Sequence, residues 1–123
     1  MADPGQRTDA AVEIDGLVVR YGGFVAVGGI SLSVAPGEVF GLLGPNGAGK
    51  TTTLRVLTSL LRPSEGGARV AGFDVRRESL AVRASIGYVP QAISVDAALS
   101  AAENLDFYAR VTSVPRAERR RRI

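Results

Sequence analysis

Gly44-Pro45-Asn46-Gly47-Ala48-Gly49-Lys50-Thr51 fits G-x-x-x-x-G-K-[ST] without a mismatch, and Lys50 is the only lysine beside fourteen arginines in a chain of 123 residues. The spelling follows from the chemistry of anion capture. Glycines let successive backbone N–H groups turn inward into a nest, and the loop then feeds the positive end of a helix. A triphosphate is the guest this arrangement suits. The Lys50 ammonium is a compact charge on a flexible stem that reaches β- and γ-phosphate oxygens, where a planar guanidinium would demand a fixed bidentate geometry. The Thr51 hydroxyl is the expected Mg²⁺ ligand.

The flanks supply the order such a loop requires. Before it, Val39-Phe40-Gly41-Leu42-Leu43 is a short continuous apolar run, which predicts a strand buried on both faces. After it, Leu54, Leu57, Leu60 and Leu61 stand at i, i+3, i+6 and i+7, which predicts an amphipathic helix over 51–61 with a leucine stripe facing the core. Strand, loop and helix therefore follow one another.

Further out, 12–20 predicts a strand, and Ile30, Leu32 and Val34 alternate with serines at the period of a half-buried strand. Ala35-Pro36-Gly37-Glu38 between that strand and the apolar run predicts a type II turn, with proline presetting φ and glycine accepting a positive one. Pro63-Ser64-Glu65-Gly66-Gly67 should end the loop's helix, and a short strand over 68–71 should follow. Residues 79–84 read as helix, and Ile86-Gly87-Tyr88-Val89 as another strand running into Pro90-Gln91. Ser100-Ala101-Ala102-Glu103 is a capping box that opens a helix to about Val111. Ser113-Val114-Pro115 interrupts it before an arginine-rich helical segment.

Composition excludes several chemistries. Without cysteine there is no disulfide framework or thiolate metal site, and without histidine the commonest metal ligand and neutral-pH proton shuttle is missing. The first eleven residues are polar at their start, hold Pro4 and Gly5, and are expected to be a loose leader rather than a signal peptide. The glycine-broken uncharged stretch 21–37 is unlike a spanning helix. Of the net charge of +3, the eight residues from Arg116 to the end supply five arginines and one glutamate, +4, which leaves −1 for the rest. The basic run is read as a solvated helical face, because no aromatic residue is interleaved for base stacking. No nucleic-acid partner is expected.

Tyr21-Gly22, the phosphate loop and Ile86-Gly87-Tyr88-Val89-Pro90-Gln91, in that order, resemble the first half of the ATP-binding domain of ABC transporters, from about Val12 to Ile123. The resemblance implies an α/β P-loop core with an N-terminal antiparallel β portion, broken off within the helical subdomain. Residues 12–92 would be the ATP-binding core and 93–123 the start of that subdomain. It implies that Gly44, Pro45, Asn46, Gly47, Ala48, Gly49, Lys50, Thr51 and Thr52 hold the phosphates of ATP and that Tyr21 stacks on adenine. It also implies that Gln91 joins Thr51 at Mg²⁺, contacts the attacking water and senses a membrane permease subunit. The implied partners are that permease and a second ATP-binding subunit, at the cytoplasmic face of the cell membrane.

Ile93-Ser94-Val95-Asp96, Leu99, Glu103-Asn104-Leu105 and Tyr108-Ala109-Arg110, with Arg69-Val70-Ala71-Gly72-Phe73-Asp74-Val75 upstream, are most similar to the ATP-binding subunits of bacterial exporters of the daunorubicin-resistance type. Ser113 departs from a glycine common there. The family's Leu-Ser-Gly-Gly-Gln signature, second acidic strand, catalytic glutamate and switch histidine have no counterpart in these residues. Leu99-Ser100-Ala101-Ala102-Glu103 is no degenerate signature: it follows Gln91 too closely, and alanines stand where glycine would let the backbone approach a γ-phosphate. The expectation is drug efflux by the intact relative, with an ABC ATPase acting outside transport, or a noncatalytic ATP-binding fragment, as the rivals. An ordinary small GTPase is disfavoured, since a single lysine leaves no Asn-Lys-x-Asp.

Overall fold

The computed structural model describes residues 9–92 and 94–123. Most of the expected leader, and Ile93, lie outside them. The chain forms two compact units, one up to Gly87 and the other Tyr88–Ile123.

The first unit is built on a strand hairpin. β1 (Val12–Tyr21) and β2 (Phe24–Val34) are joined by Gly22-Gly23, with Gly22 at φ 57°, the glycine-first two-residue connection whose twist suits antiparallel strands. β3 (Glu65–Val70) pairs on the other side of β1, and β4 (Phe73–Asp74) follows, so the sheet order is β2-β1-β3-β4 with every described pairing antiparallel. As the central strand, β1 contributes Ile14, Leu17 and Val19 to the core. Their spacing breaks a period of two because of a bulge. Ile14 pairs with Leu32 and Leu17 with Ile30, so β1 carries one extra residue around Asp15-Gly16, which returns Leu17 to the face of Ile14. The Gly16 N–H donates to Ser31 Oγ at 2.8 Å. Opposite the bulge, a Cβ on Gly66 would lie 2.1 Å from the Gly16 carbonyl oxygen, so no other residue fits there.

Two helices close the core. Val56 of α1 (Lys50–Leu57) and Val82 of α2 (Ser79–Ser85) are wholly buried with Val27, Ala68, Val70 and Val75. Each such aliphatic side chain contributes roughly 1.5–3 kcal/mol over an exposed one. The turn at 35–38 forms as expected: Gly37 has φ 78° and the Glu38 N–H donates to the Ala35 carbonyl at 3.2 Å.

Three expectations need correction. α1 is shorter than 51–61. It stops at a left-handed Ser59, after which the Leu60 and Leu61 N–H groups both return to the Arg55 carbonyl. Its inward face is Thr53 and Val56, while Leu54 and Leu60 are exposed. Leu57 and Leu61 pack against the core as partly buried residues, so half of the leucine stripe turns inward beside Thr53 and Val56. The run 39–43 is not a buried strand: Val39 and Leu43 are 99% and 93% exposed, and no described strand pairs with it. Residues 86–89 likewise join no ladder, although Ile86 is extended at φ −115°, ψ 151°. An apolar run becomes a strand only when a neighbouring strand takes its N–H and C=O groups in a ladder, and among the described residues neither run is paired with a strand.

The second unit holds α3 (Ala101–Val111) and α4 (Arg116–Arg122), with no buried residue in either helix. The capping box forms: Ser100 Oγ accepts from the Glu103 N–H at 3.3 Å, while Glu103 Oε2 accepts from the Ser100 N–H at 2.8 Å. Among the described residues, no helix is long and apolar enough to cross a membrane.

Candidate functional site

The loop 44–51 is positioned from behind by β2. Gly49 has φ 86°, and a Cβ there would stand 2.5 Å from the Ala26 carbonyl oxygen and 3.0 Å from Val27 Cγ2. The loop therefore rests directly on the strand backbone, which only glycine permits. In front of Gly49 the chain turns through Gly47 at φ 84°, with the Ala48 N–H donating to the Pro45 carbonyl at 3.2 Å. A small cleft of about 150 Å³ separates β2 from this turn, bounded by Val27, Ile30, Leu42, Leu43, Gly49 and Thr53 among others.

The start of α1 is left electrically open. Gly49 as N-cap supplies no side-chain hydrogen bond, and the first turn contains no acidic residue. Its leading N–H groups and the positive end of the helix dipole are consequently uncompensated, which favours an anion. Lys50 adds a full charge at the same place. Its ammonium donates to the Gly44 and Pro45 carbonyls, the latter at 2.7 Å, so two of three donors hold it against its own loop and the third remains.

The three consecutive threonines divide by exposure. Thr51 is exposed and Thr52 half-buried. Thr53, which sequence reasoning passed over, is buried and donates its hydroxyl to the Gly49 carbonyl at 2.9 Å. That bond ties the loop's last glycine to the helix. Its only trace in the sequence is a hydroxyl four residues after Gly49, a common spacing that does not single it out.

Tyr21 ends β1 with its ring 47% exposed, and its hydroxyl makes no hydrogen bond among the described residues. Gln91 belongs to the other unit and is exposed. The structure thus brings Lys50, Thr51, Thr52 and the loop residues together on one unit with Tyr21, and places Gln91 on the other. Among the described residues no group of three or more acidic, histidine or cysteine side chains is arranged to hold a metal. A single hydroxyl such as Thr51 suits Mg²⁺ all the same, because this ion commonly takes few protein ligands and completes its shell with phosphate oxygens and water.

Known proteins similar to this chain share one family. The ABC transporter family matches residues 27–123. A daunorubicin resistance ATP-binding protein, DrrA3 of Streptomyces coeruleorubidus, is 48% identical over 84% of this chain and 33% of its own length. The daunorubicin/doxorubicin resistance ATP-binding protein DrrA of Streptomyces peucetius is 48% identical over 91% of this chain and 34% of its own. This chain therefore spans about a third of these curated relatives. Among solved structures, an ATP-binding subunit of an ABC transporter superposes with a TM-score of 0.80 at 27% identity, over 91% of this chain and 47% of that one. The cbiO1 protein of Clostridium perfringens, part of the ABC transporter complex cbiONQ, gives 0.74 at 29%, over 94% and 48%.

Proposed function

The chain belongs to the ABC transporter family, and from that premise we propose that it is the part of an exporter's ATP-binding subunit that grips MgATP, coupling its binding and hydrolysis in the intact protein to transport by a separate membrane permease. The observation that carries this reading is the open, uncapped start of α1 behind Gly49 with the Lys50 ammonium across the loop. In this reading the N–H groups of 44–51 surround the β- and γ-phosphates, and Lys50 turns from the loop carbonyls toward their oxygens. Thr52 adds a phosphate contact. Thr51 and Gln91 hold Mg²⁺, which when bound neutralises charge that develops on the phosphates. Tyr21 lies under the adenine.

The relatives named for daunorubicin resistance support drug or antibiotic efflux as the transported class. A second ATP-binding subunit would close over the nucleotide, and the assembly would sit at the cytoplasmic face of the membrane through its permease. We assign no productive hydrolysis to these 123 residues by themselves. Phosphoryl transfer depends on positioning of the water and on electrostatics, and this sequence holds neither a histidine nor a Leu-Ser-Gly-Gly-Gln.

Calorimetry with MgATP tests the assignment. Lys50→Ala should lower the affinity at least tenfold, about 1.4 kcal/mol or more. Equal affinity in the two proteins would remove the loop from the site.

A further inference from the structure

Phe24 is an aromatic side chain left 64% exposed at the tip of the β1–β2 hairpin. In register it is the direct partner of Tyr21, and residues directly opposite one another in an antiparallel pair project from the same face, with Cβ atoms about 4.5–5.5 Å apart. The face in question is set by another bulge, nearer the hairpin tip. Val19 pairs with Val27 but Arg20 with Val25, so Ala26 is an extra residue on β2. Regular alternation would put Phe24, three positions before Val27, on the opposite side of the sheet. The bulge returns it to the side of Val27, just as Tyr21 shares the side of Val19.

That side is where the phosphate loop rests. The Val27 side chain stands 3.0 Å, and the Ala26 carbonyl oxygen 2.5 Å, from where a Cβ on Gly49 would lie. Phe24 lies two residue steps along β2 from Ala26, about 7 Å along the chain. An aromatic pair thus lies beside the loop, on its side of the sheet and a short step along β2 from it.

We propose that Phe24 and Tyr21 together form the base-binding surface of the nucleotide site, an aromatic ledge that receives the purine of the triphosphate held by 44–51. The proposal rests on the reading that this loop takes the phosphates. Tyr21 supplies one ring face to the base, and Phe24 extends the apolar surface along the base edge and ribose. The plain alternative is a cross-strand pair that only fastens the hairpin tip, which would alter stability and leave ligand affinity unmoved.

Two ligands separate these cases in the 123-residue chain: MgATP, and magnesium tripolyphosphate, which has no base. Phe24→Ala should weaken MgATP about fivefold to tenfold by calorimetry, in the range of a partial stacking contact, and leave tripolyphosphate unchanged. Phe24→Leu, which keeps apolar bulk along the base edge, should retain part of the affinity that Phe24→Ala loses. The double variant with Tyr21→Ala should lose less than the product of the single losses, because the two rings serve one base. If MgATP and tripolyphosphate both bind in a Lys50-dependent way and neither Phe24 variant changes MgATP affinity, the ledge is wrong and the phosphate reading stands. If Lys50→Ala changes neither ligand's binding, the phosphate reading fails and the ledge with it.

Discussion

Gly49 is the residue on which the loop's position turns, because its backbone and its surroundings exclude any side chain independently. Its φ of 86° is strained for an L-residue, and a Cβ would meet the Ala26 carbonyl at 2.5 Å. Gly49→Ala should therefore destabilise the first unit by about 2 kcal/mol or more in a urea titration, beyond the roughly 1 kcal/mol of a left-handed conformation alone. MgATP affinity should fall with it. Lys50 behaves differently: its ammonium contacts only exposed loop carbonyls, so Lys50→Ala is expected to remove affinity while the urea midpoint moves little. The contrast separates a residue that places the loop from one that meets the ligand. Sequence identified both from their pattern, yet gave no sign of the contact with β2 that makes Gly49 irreplaceable.

At the scale of elements, α3 carries its own instructions. Ser100 and Glu103 exchange hydrogen bonds at its start, and the Ser100 hydroxyl, followed by the Ser100 backbone N–H, holds the Glu103 carboxyl below the ordinary carboxylate range. A lowered value means that the folded helix favours the ionised form. Its stabilisation is complete above the unfolded carboxylate's value and is lost as pH falls through the folded one. The protection of the first-turn amides of α3, taken against the intrinsic exchange rate at each pH, should accordingly fall in acid, and Glu103→Gln should flatten that dependence. Ser100→Ala should cost α3 about 1 kcal/mol at neutral pH. α1 is the opposite case: no side chain caps its start, and Thr53 and Val56 join Leu57 on the packed face while Leu54 stays exposed, because tertiary contacts choose the buried face.

Across the whole molecule, the buried apolar core lies in the first unit, while neither helix of the second buries a residue. Val39, Leu43 and Leu80 remain open on the first unit, and Phe107 and Val111 on the second. In this chain the candidate Mg²⁺ ligands Thr51 and Gln91 fall on different units. We expect the 123 residues to bind MgATP without turning it over: phosphate release should not rise above that of Lys50→Ala at any protein concentration. Steady release that disappears in Lys50→Ala would show that water positioning is complete without a histidine or a signature sequence.

The sequence by itself determined the features whose causes are local. The glycines and lysine of 44–51, the proline-glycine turn at 35–38 and the capping box of α3 each follow from backbone geometry or hydrogen bonding within a few residues. The family too was legible there, through motif order. Only the tertiary structure decided matters of partnership. The bulges at Asp15-Gly16 and Ala26 reset which side chains share a face, and β1, flanked by β2 and β3, became the central strand. The apolar runs 39–43 and 86–89 stayed outside the sheet. Hydrophobicity states that a segment gains by burial, but a strand exists only where another strand, distant in sequence, accepts its hydrogen bonds.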